Sequence, residues 1–282
     1  MPDMRIFRLL LLPFSILYLL GVSLRNMLFD LNIIPTTQHD ISTIGVGNLS
    51  VGGTGKTPHA IYIIDLLLKK GFQVGTLSRG YKRKTTGFLE VTEEHTVDEV
   101  GDEPRLVKKR FGENLIVGVD GNRNRGVRKL QHSHKDLESI VLDDVYQHRY
   151  INPGLKILLT EYSNLYINDF VLPLGTLREP ARASRRADII IVTKCPRIFS
   201  PTEARAITKK LSIRPYQKVF FSYYKYKKLK PVFNDRQLKS FSEKELLTKD
   251  LDVVMLTGIA RTANLKYRIK NQVKRLRHHK YE

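Results

Sequence analysis

Val46-Gly47-Asn48-Leu49-Ser50-Val51-Gly52-Gly53-Thr54-Gly55-Lys56-Thr57-Pro58 is the stretch whose reading decides the fold of this chain. It follows the β-branched run Ile41–Ile44, which reads as a strand, and precedes Ala60–Lys70, which reads as an apolar helix closed by Gly71. A Gly-rich turn between strand and helix aims several backbone N–H groups at one spot, and the helix dipole adds positive potential there. In that geometry Ser50, Val51, Gly52, Gly53, Thr54 and Gly55 line a phosphate cradle, Lys56 reaches β- and γ-phosphates, and the Thr57 hydroxyl holds Mg²⁺. The pattern departs from G-x-x-x-x-G-K-[ST] at its first position, which is Ser50. Gly52, Gly53 and Gly55 still supply backbone freedom. The plainer alternative is a Gly-rich turn with a solvated lysine, and the strand-loop-helix context weighs against it.

The length, 282 residues, allows one large or two modest domains. An excess of 48 Lys and Arg over 28 Asp and Glu gives a net charge of +20, which favours an anionic partner, either nucleic acid or a membrane face. One cysteine, Cys195, rules out an intramolecular disulfide and suits a reducing compartment. At the N-terminus, Leu9–Leu24 carries no charge and is flanked by Arg5, Arg8 and Arg25. As a helix it would measure about 24 Å, short of a hydrocarbon core of about 30 Å. Pro13 either kinks it or delimits its first turn. A secretory signal and a buried core helix compete with a membrane-inserting or interfacial helix. The last fits best, its arginines seeking anionic head groups.

Beyond the loop, apolar strands alternate with helical stretches. Gln73–Leu77 leads to Ser78–Arg83, Leu115–Val119 to Asp120 with Arg123 and Arg125 beyond, and Ser139–Leu142 to Asp143-Asp144. Leu155–Thr160 and Asp188–Val192 follow, the latter ending at Thr193-Lys194. This alternation predicts βαβ units and a mostly parallel sheet, with ligands at the carboxyl ends of its strands. Asp143-Asp144 reads as an apolar strand delivering carboxylate to Mg²⁺, or more blandly as a helix cap. Gly101-Asp102-Glu103-Pro104 puts acids at a helix start, where they serve the dipole or take a proton from an attacking hydroxyl. Arg178-Glu179-Pro180, with Arg182, Arg185 and Arg186, is a basic loop suited to phosphate, or a solvated charge run.

Together these residues resemble the tetraacyldisaccharide 4'-kinase (lipid A 4'-kinase) family. The resemblance rests on Val46–Pro58, Ser78–Tyr81, Gly101–Pro104, Asp143–Arg149 and Leu172–Pro180, in order over residues 1 to about 225. It implies transfer of the ATP γ-phosphoryl group to the 4'-hydroxyl of a tetraacylated disaccharide 1-phosphate, giving lipid IVA, with ATP and Mg²⁺ required. It also implies roles: Asp102, Lys56 and Arg178 catalytic, Glu103, Asp143, Asp144 and Glu179 around the metal with Thr57, and Arg79 and Arg123 on substrate phosphate. The expected architecture is an α/β, P-loop NTPase-like sheet with flanking helices. Residues 1–28 form the membrane-associated helix, 29–215 the kinase core, and 216–282 linker strands with a smaller, incomplete C-terminal α/β lobe. The active site is expected on the cytoplasmic face of the inner membrane, with an acylated disaccharide 1-phosphate and the lipid surface as partners and no nucleic acid or obligate protein.

Near the end the fit weakens. Leu251–Leu256 reads as a strand into Thr257–Ala260, which is similar to a family motif, but the family's aromatic-x-Asp-His segment has no counterpart before Glu282. The expectation is therefore a truncated or divergent chain, with His278 and His279 solvated in the tail. Residues 261–282 hold eight Lys or Arg against one acid, a helix facing anions or a solvated face. Two other functions compete. A membrane-linked P-loop ATPase or GTPase switch would want Asn-Lys-x-Asp where Thr193-Lys194-Cys195-Pro196 stands, or a second loop lysine at Val51. A basic nucleic-acid-binding protein explains the charge but not the apolar terminus.

Overall fold

The computed structural model describes residues 10–225, 251–258 and 262–281. Arg5, Arg8 and Leu9 of the apolar terminus, and Ile259-Ala260 of the Thr257–Ala260 stretch, lie outside the described residues. The chain forms two compact units, Met1–Tyr223 and Tyr224–Glu282.

The first unit is built on an eight-stranded sheet. Its strands are β1 (Ser42–Asn48), β2 (Val74–Ser78), β3 (Leu89–Glu90), β4 (Ile116–Val119), β5 (Ser139–Asp143), β6 (Leu155–Glu161), β7 (Ile189–Thr193) and β8 (Lys218–Phe221), ordered β3-β4-β2-β5-β1-β6-β7-β8. All pairs are parallel except β3 with β4. The α/β class read from strand alternation is the one observed. Central strands are apolar on both faces because helices cover both: Ile64 and Val141 pack on one side of the sheet, Leu130 and Ile140 on the other. Parallel strands end at the same edge, so the residues after β1, β2, β4, β5 and β7 converge there. In the register, Val46 of β1 sits opposite Asp143 of β5.

The strand before the loop is longer than Ile41–Ile44 suggests. β1 continues through Gly45, Val46 and Gly47 to Asn48, residues that read as loop because glycine is a weak strand former. These glycines are there for close approach: a Cβ on Gly47 would lie 2.6 Å from the Tyr146 Cβ, and one on Gly45 2.8 Å from Pro153 and Val145. The loop itself is therefore Leu49–Gly55.

The terminal helix α1 spans Leu12–Asp30, beyond the uncharged run. Pro13 sits in its first turn, where its missing N–H costs nothing. Arg25 lies within the helix, and its guanidinium donates to the Gln147 carbonyl at 2.7 Å. The same face docks on the core: Ser15 accepts from Leu174 N, the Tyr18 hydroxyl donates to the Arg178 carbonyl at 2.9 Å, and Arg25 and Arg149 lie over Phe29. The other face exposes Phe14, Leu17, Leu20 and Leu24. Among the described residues this is the one helix long and apolar enough to cross a membrane.

Five more α-helices are described in this unit: α2 (Lys56–Lys69), the short α3 (Val97–Val100), α4 (Asp102–Phe111), α5 (Arg123–Ser133) and, before β8, α6 (Pro201–Leu211). In the second unit, β9 (Asp252–Thr257), α7 (Ala263–Lys270) and β10 (Arg275–Lys280) form a parallel βαβ unit. The basic tail is thus partly a strand rather than a helix. His278 is half-buried, its Nε2 2.8 Å from the Thr257 hydroxyl, whereas His279 is exposed.

Candidate active site

The loop from Leu49 to Gly55 joins β1 to α2, which starts at Lys56 rather than at Ala60. Its first half pairs with the segment that brings Arg178: Val51 N donates to the Thr176 carbonyl at 2.7 Å and Arg178 N to the Leu49 carbonyl at 2.7 Å. Val51, Gly52 and Gly53 are exposed, and nothing lies within 4 Å of a Cβ placed on Gly52 or Gly53, so space is open above the loop. Gly55 takes φ 95° and caps α2.

Charged groups from four elements meet beside this loop. Lys56, at the start of α2, lies 3.7 Å from Asp144 Oδ1. The next residue, Thr57, donates its hydroxyl to Glu103 Oε1 at 3.0 Å. Arg178 reaches Asp144 Oδ1 at 3.1 Å and also donates to the carbonyl and side-chain oxygens of Asn48. Asp143, ending β5, is buried and accepts from Asp144 N at 2.8 Å. Burial first, and then Glu103 and Asp144, push its carboxyl up to about 7, against the pull of Lys56. Asp144 stands at φ 48°. Burial works to raise it too, but Arg178 and Lys56 outweigh burial and leave it below the usual carboxylate range. Adjacent acids thus have opposite tendencies: burial dominates at Asp143, with carboxylates beside it, whereas cations outweigh burial at Asp144.

Asp102 is exposed at the first position of α4, and its Oδ1 accepts from Glu103 N at 2.9 Å. Gly101, at φ 92°, makes the turn that aims α4 at the loop. A Cβ there would also lie 3.1 Å from the Tyr81 carbonyl, so the position requires glycine.

Lys56, Thr57, Glu103, Asp143, Asp144 and Arg178 therefore form one connected set. Arg123 is placed differently from an exposed phosphate binder. It is buried, donates to the Asp120 carbonyl at 2.7 Å, and lies 3.5 Å from the Asp143 carbonyl; burial lowers it to about 10. Arg79 is exposed after β2, and its charge acts on Arg123 and His148. Glu179 lies in the interior, 1% exposed, accepting from Asn26 Nδ2 and Arg186, each at 2.8 Å. Both bonds fall on Oε2, which is committed to an ion pair, while Oε1 is buried with no hydrogen-bond partner. Asn48 was not singled out by sequence reasoning. It ties strand to loop by donating to the Ser50 carbonyl at 2.7 Å.

No group of three or more His, Cys, Asp or Glu arranged for a metal occurs among the described residues. A Mg²⁺ site does not need one, since this ion keeps waters and phosphate oxygens and takes one or two carboxylates. The buried Asp143, facing Glu103 and Asp144, is an excess of oxygen-borne negative charge that a hard divalent cation would relieve.

The family model for tetraacyldisaccharide-1-P 4'-kinase matches residues 7–282. Tetraacyldisaccharide 4'-kinase of Parabacteroides distasonis is 46% identical over 269 residues, covering 93% of this chain and 71% of the relative. The enzyme of the same name from Phocaeicola vulgatus is 44% identical over 257 residues, 90% of this chain and 69% of its own. Among solved structures, an "apo" form of LpxK from Aquifex aeolicus in complex with ATP superposes with a TM-score of 0.75 at 30% identity, covering 97% of this chain and 82% of that one. With its phosphate loop, acid pair and sheet order in place, the chain belongs to the tetraacyldisaccharide 4'-kinase family.

Proposed function

We propose that this chain transfers the γ-phosphoryl group of ATP to the 4'-hydroxyl of a tetraacylated disaccharide 1-phosphate, giving lipid IVA in lipid A biosynthesis. The observation that carries this reading is the connected set of Lys56, Thr57, Glu103, Asp143, Asp144 and Arg178 beside an open Gly-rich loop. Phosphoryl transfer is mostly positioning and neutralisation of charge, which is what that set offers.

In this reading Ser50–Gly55 cradle the phosphates through backbone N–H groups. Lys56 and Arg178 leave Asp144 to face the β- and γ-phosphate oxygens and the charge that grows on them. Thr57, Asp143 and Asp144, with Glu103 behind Thr57, would hold Mg²⁺, which when bound supplies charge neutralisation across the phosphates. Glu179 is left out of that set because it is buried and its Oε2 is engaged by Asn26 and Arg186. Asp102 takes the proton of the 4'-hydroxyl as its oxygen bonds to the γ-phosphorus. The bond from that phosphorus to the bridging oxygen breaks, and ADP leaves with the electron pair. Arg79 would meet acceptor phosphate, and Arg123 would steady the backbone of Asp143 through its carbonyl.

The exposed apolar face of α1 would contact lipid on the cytoplasmic side of the inner membrane, where ATP is available and where an acylated acceptor resides. Its opposite face bonds to the segment carrying Arg178, which links the membrane-facing element to the site. The test is incubation of the purified chain with γ-labelled ATP, Mg²⁺ and the disaccharide 1-phosphate in detergent. Label should appear at the 4' position with wild type and vanish with Lys56→Ala. Equal labelling by the variant would overturn the assignment of the loop.

A further inference from the structure

Three consecutive carbonyls of the phosphate loop are held from behind by side chains outside the set described above. Lys194 Nζ donates to the Gly53 carbonyl at 2.6 Å, and Thr193 Oγ1 donates to the Thr54 carbonyl at 2.8 Å. His59 Nδ1 lies 2.7 Å from the Gly55 carbonyl, which also accepts the helical bond from His59 N at 3.2 Å. A carbonyl can only accept, so Nδ1 carries the hydrogen. The neutral imidazole holding that one hydrogen has a lone pair on its other nitrogen. Its Nε2 therefore accepts from the Ser222 hydroxyl at 2.9 Å.

These donors are themselves fixed. Thr193, fully buried at the end of β7, also reaches the Thr160 carbonyl at 3.3 Å. Lys194 pairs with Glu161 at 3.2 Å, and its side chain is only 14% exposed. Its backbone stands in the left-handed region at φ 59°, unusual for a lysine, which marks a position the surroundings dictate. Ser222 donates its N–H to the Val192 carbonyl and accepts from Cys195 N, each at 2.9 Å. The turn after β7 and the residue after β8 thus act as one brace against the loop.

A trans peptide points its C=O and the following N–H in opposite directions within one plane. Holding the carbonyls of Thr54 and Gly55 outward therefore directs the N–H groups of Gly55 and Lys56 the other way, towards the open space above the loop. Thr54 N–H bonds to the Gly52 carbonyl at 3.0 Å, so the Gly53 contact fixes the bend itself. We propose that Thr193, Lys194 and His59 are positioning residues for the nucleotide, keeping the loop in its phosphate-accepting shape before ATP arrives. The inference rests on reading the loop as the ATP site. It also gives a role to Thr193-Lys194, which stand where a guanine-reading motif would stand in a GTPase.

The test uses Lys194→Met, Thr193→Val, His59→Leu and His59→Asn in the full chain. Calorimetric titration with Mg·ATP in the absence of acceptor is compared with KM for ATP, KM for the acceptor, kcat at saturating ATP, and the nucleotide-free Tm. Loss of one such bond is expected to weaken ATP binding about tenfold, equivalent to about 1.4 kcal/mol. Lys194→Met, Thr193→Val and His59→Leu should each show this with acceptor KM close to wild type; Tm should stay close to wild type in Thr193→Val and His59→Leu and fall in Lys194→Met, which leaves the Glu161 carboxylate without its lysine. His59→Asn should recover most of the loss, because its amide can still donate to Gly55. Unchanged ATP affinity in Lys194→Met and Thr193→Val overturns the proposal. So does a fall in Tm accompanied by equal losses in every kinetic parameter, and so does failure of all the variants to fold. Absence of transfer by wild type that still binds ATP would instead count against the kinase reading, leaving the brace intact.

Discussion

Glu179→Gln separates the interior ion pair from a metal ligand. Glu179 is 1% exposed and accepts from Arg186 at 2.8 Å, while Arg186 retains 21% exposure and lies 4.8 Å over the Tyr146 ring. Burial works against the Arg186 charge, and Glu179 and Tyr146 outweigh it, keeping the guanidinium above its ordinary pKa. Removing the carboxylate charge leaves a largely buried cation without compensation, which costs about 3 kcal/mol after allowance for the exposed part of Arg186. For a unit of this size that lowers Tm by about 6 to 12 °C. The Asn26 amide also loses a charged acceptor, so α1 should loosen from the segment around Arg178. Thermal unfolding of wild type and Glu179→Gln, run beside a Mg²⁺ titration of kinase activity, reads both roles. Adding Arg186→Met should restore part of the Tm, because the second change removes the orphaned charge. An unaltered Tm together with a large rise in the Mg²⁺ requirement would refute this reasoning and return Glu179 to the metal.

Gly101→Ala should lower kcat by about tenfold or more, since a Cβ at φ 92° lies 3.1 Å from the Tyr81 carbonyl and the chain must shift Asp102 to relieve it; steady-state kinetics checks this. Asp102→Asn should reduce kcat far more than it weakens ATP, and equal losses in both would make Asp102 a structural acid. Deleting residues 1–25 removes the bonds of Ser15 and Tyr18 to the 171–178 segment and of Arg25 to Gln147, so activity on detergent-dispersed acceptor should fall as well as membrane binding. Full activity in detergent would show that α1 only anchors. His148 is pushed down to about 4 by burial and then by Arg123, Arg25 and Arg79. Below its ordinary pKa of 6.5 the unfolded chain takes up a proton that the folded chain refuses. Stability is therefore full above 6.5 and drains away as pH falls towards 4, by at most about 3 kcal/mol and less because the ring is only half-buried. Denaturant unfolding across that window should be flatter for His148→Gln than for wild type.

By itself the sequence determined the α/β class, the strand-loop-helix at the phosphate cradle, and the acids at the ends of β5 and the start of α4. These depend on local patterns, namely apolar runs of strand length, glycines in a turn, and polar residues at strand ends. The same local reading ended β1 too early, because Gly45 and Gly47 look like loop until Tyr146, Val145 and Pro153 are seen packed against them. The family resemblance, rather than local pattern, grouped Glu179 with the metal. Only the tertiary structure shows its other partners, bringing Asn26 to Glu179 across 153 positions of sequence. The docking face of α1 and the brace from Thr193-Lys194 are hidden for the same reason. Hydrogen bonds between distant segments depend on strand order and on which face a residue presents, and neither is written in the spacing of residues along the chain.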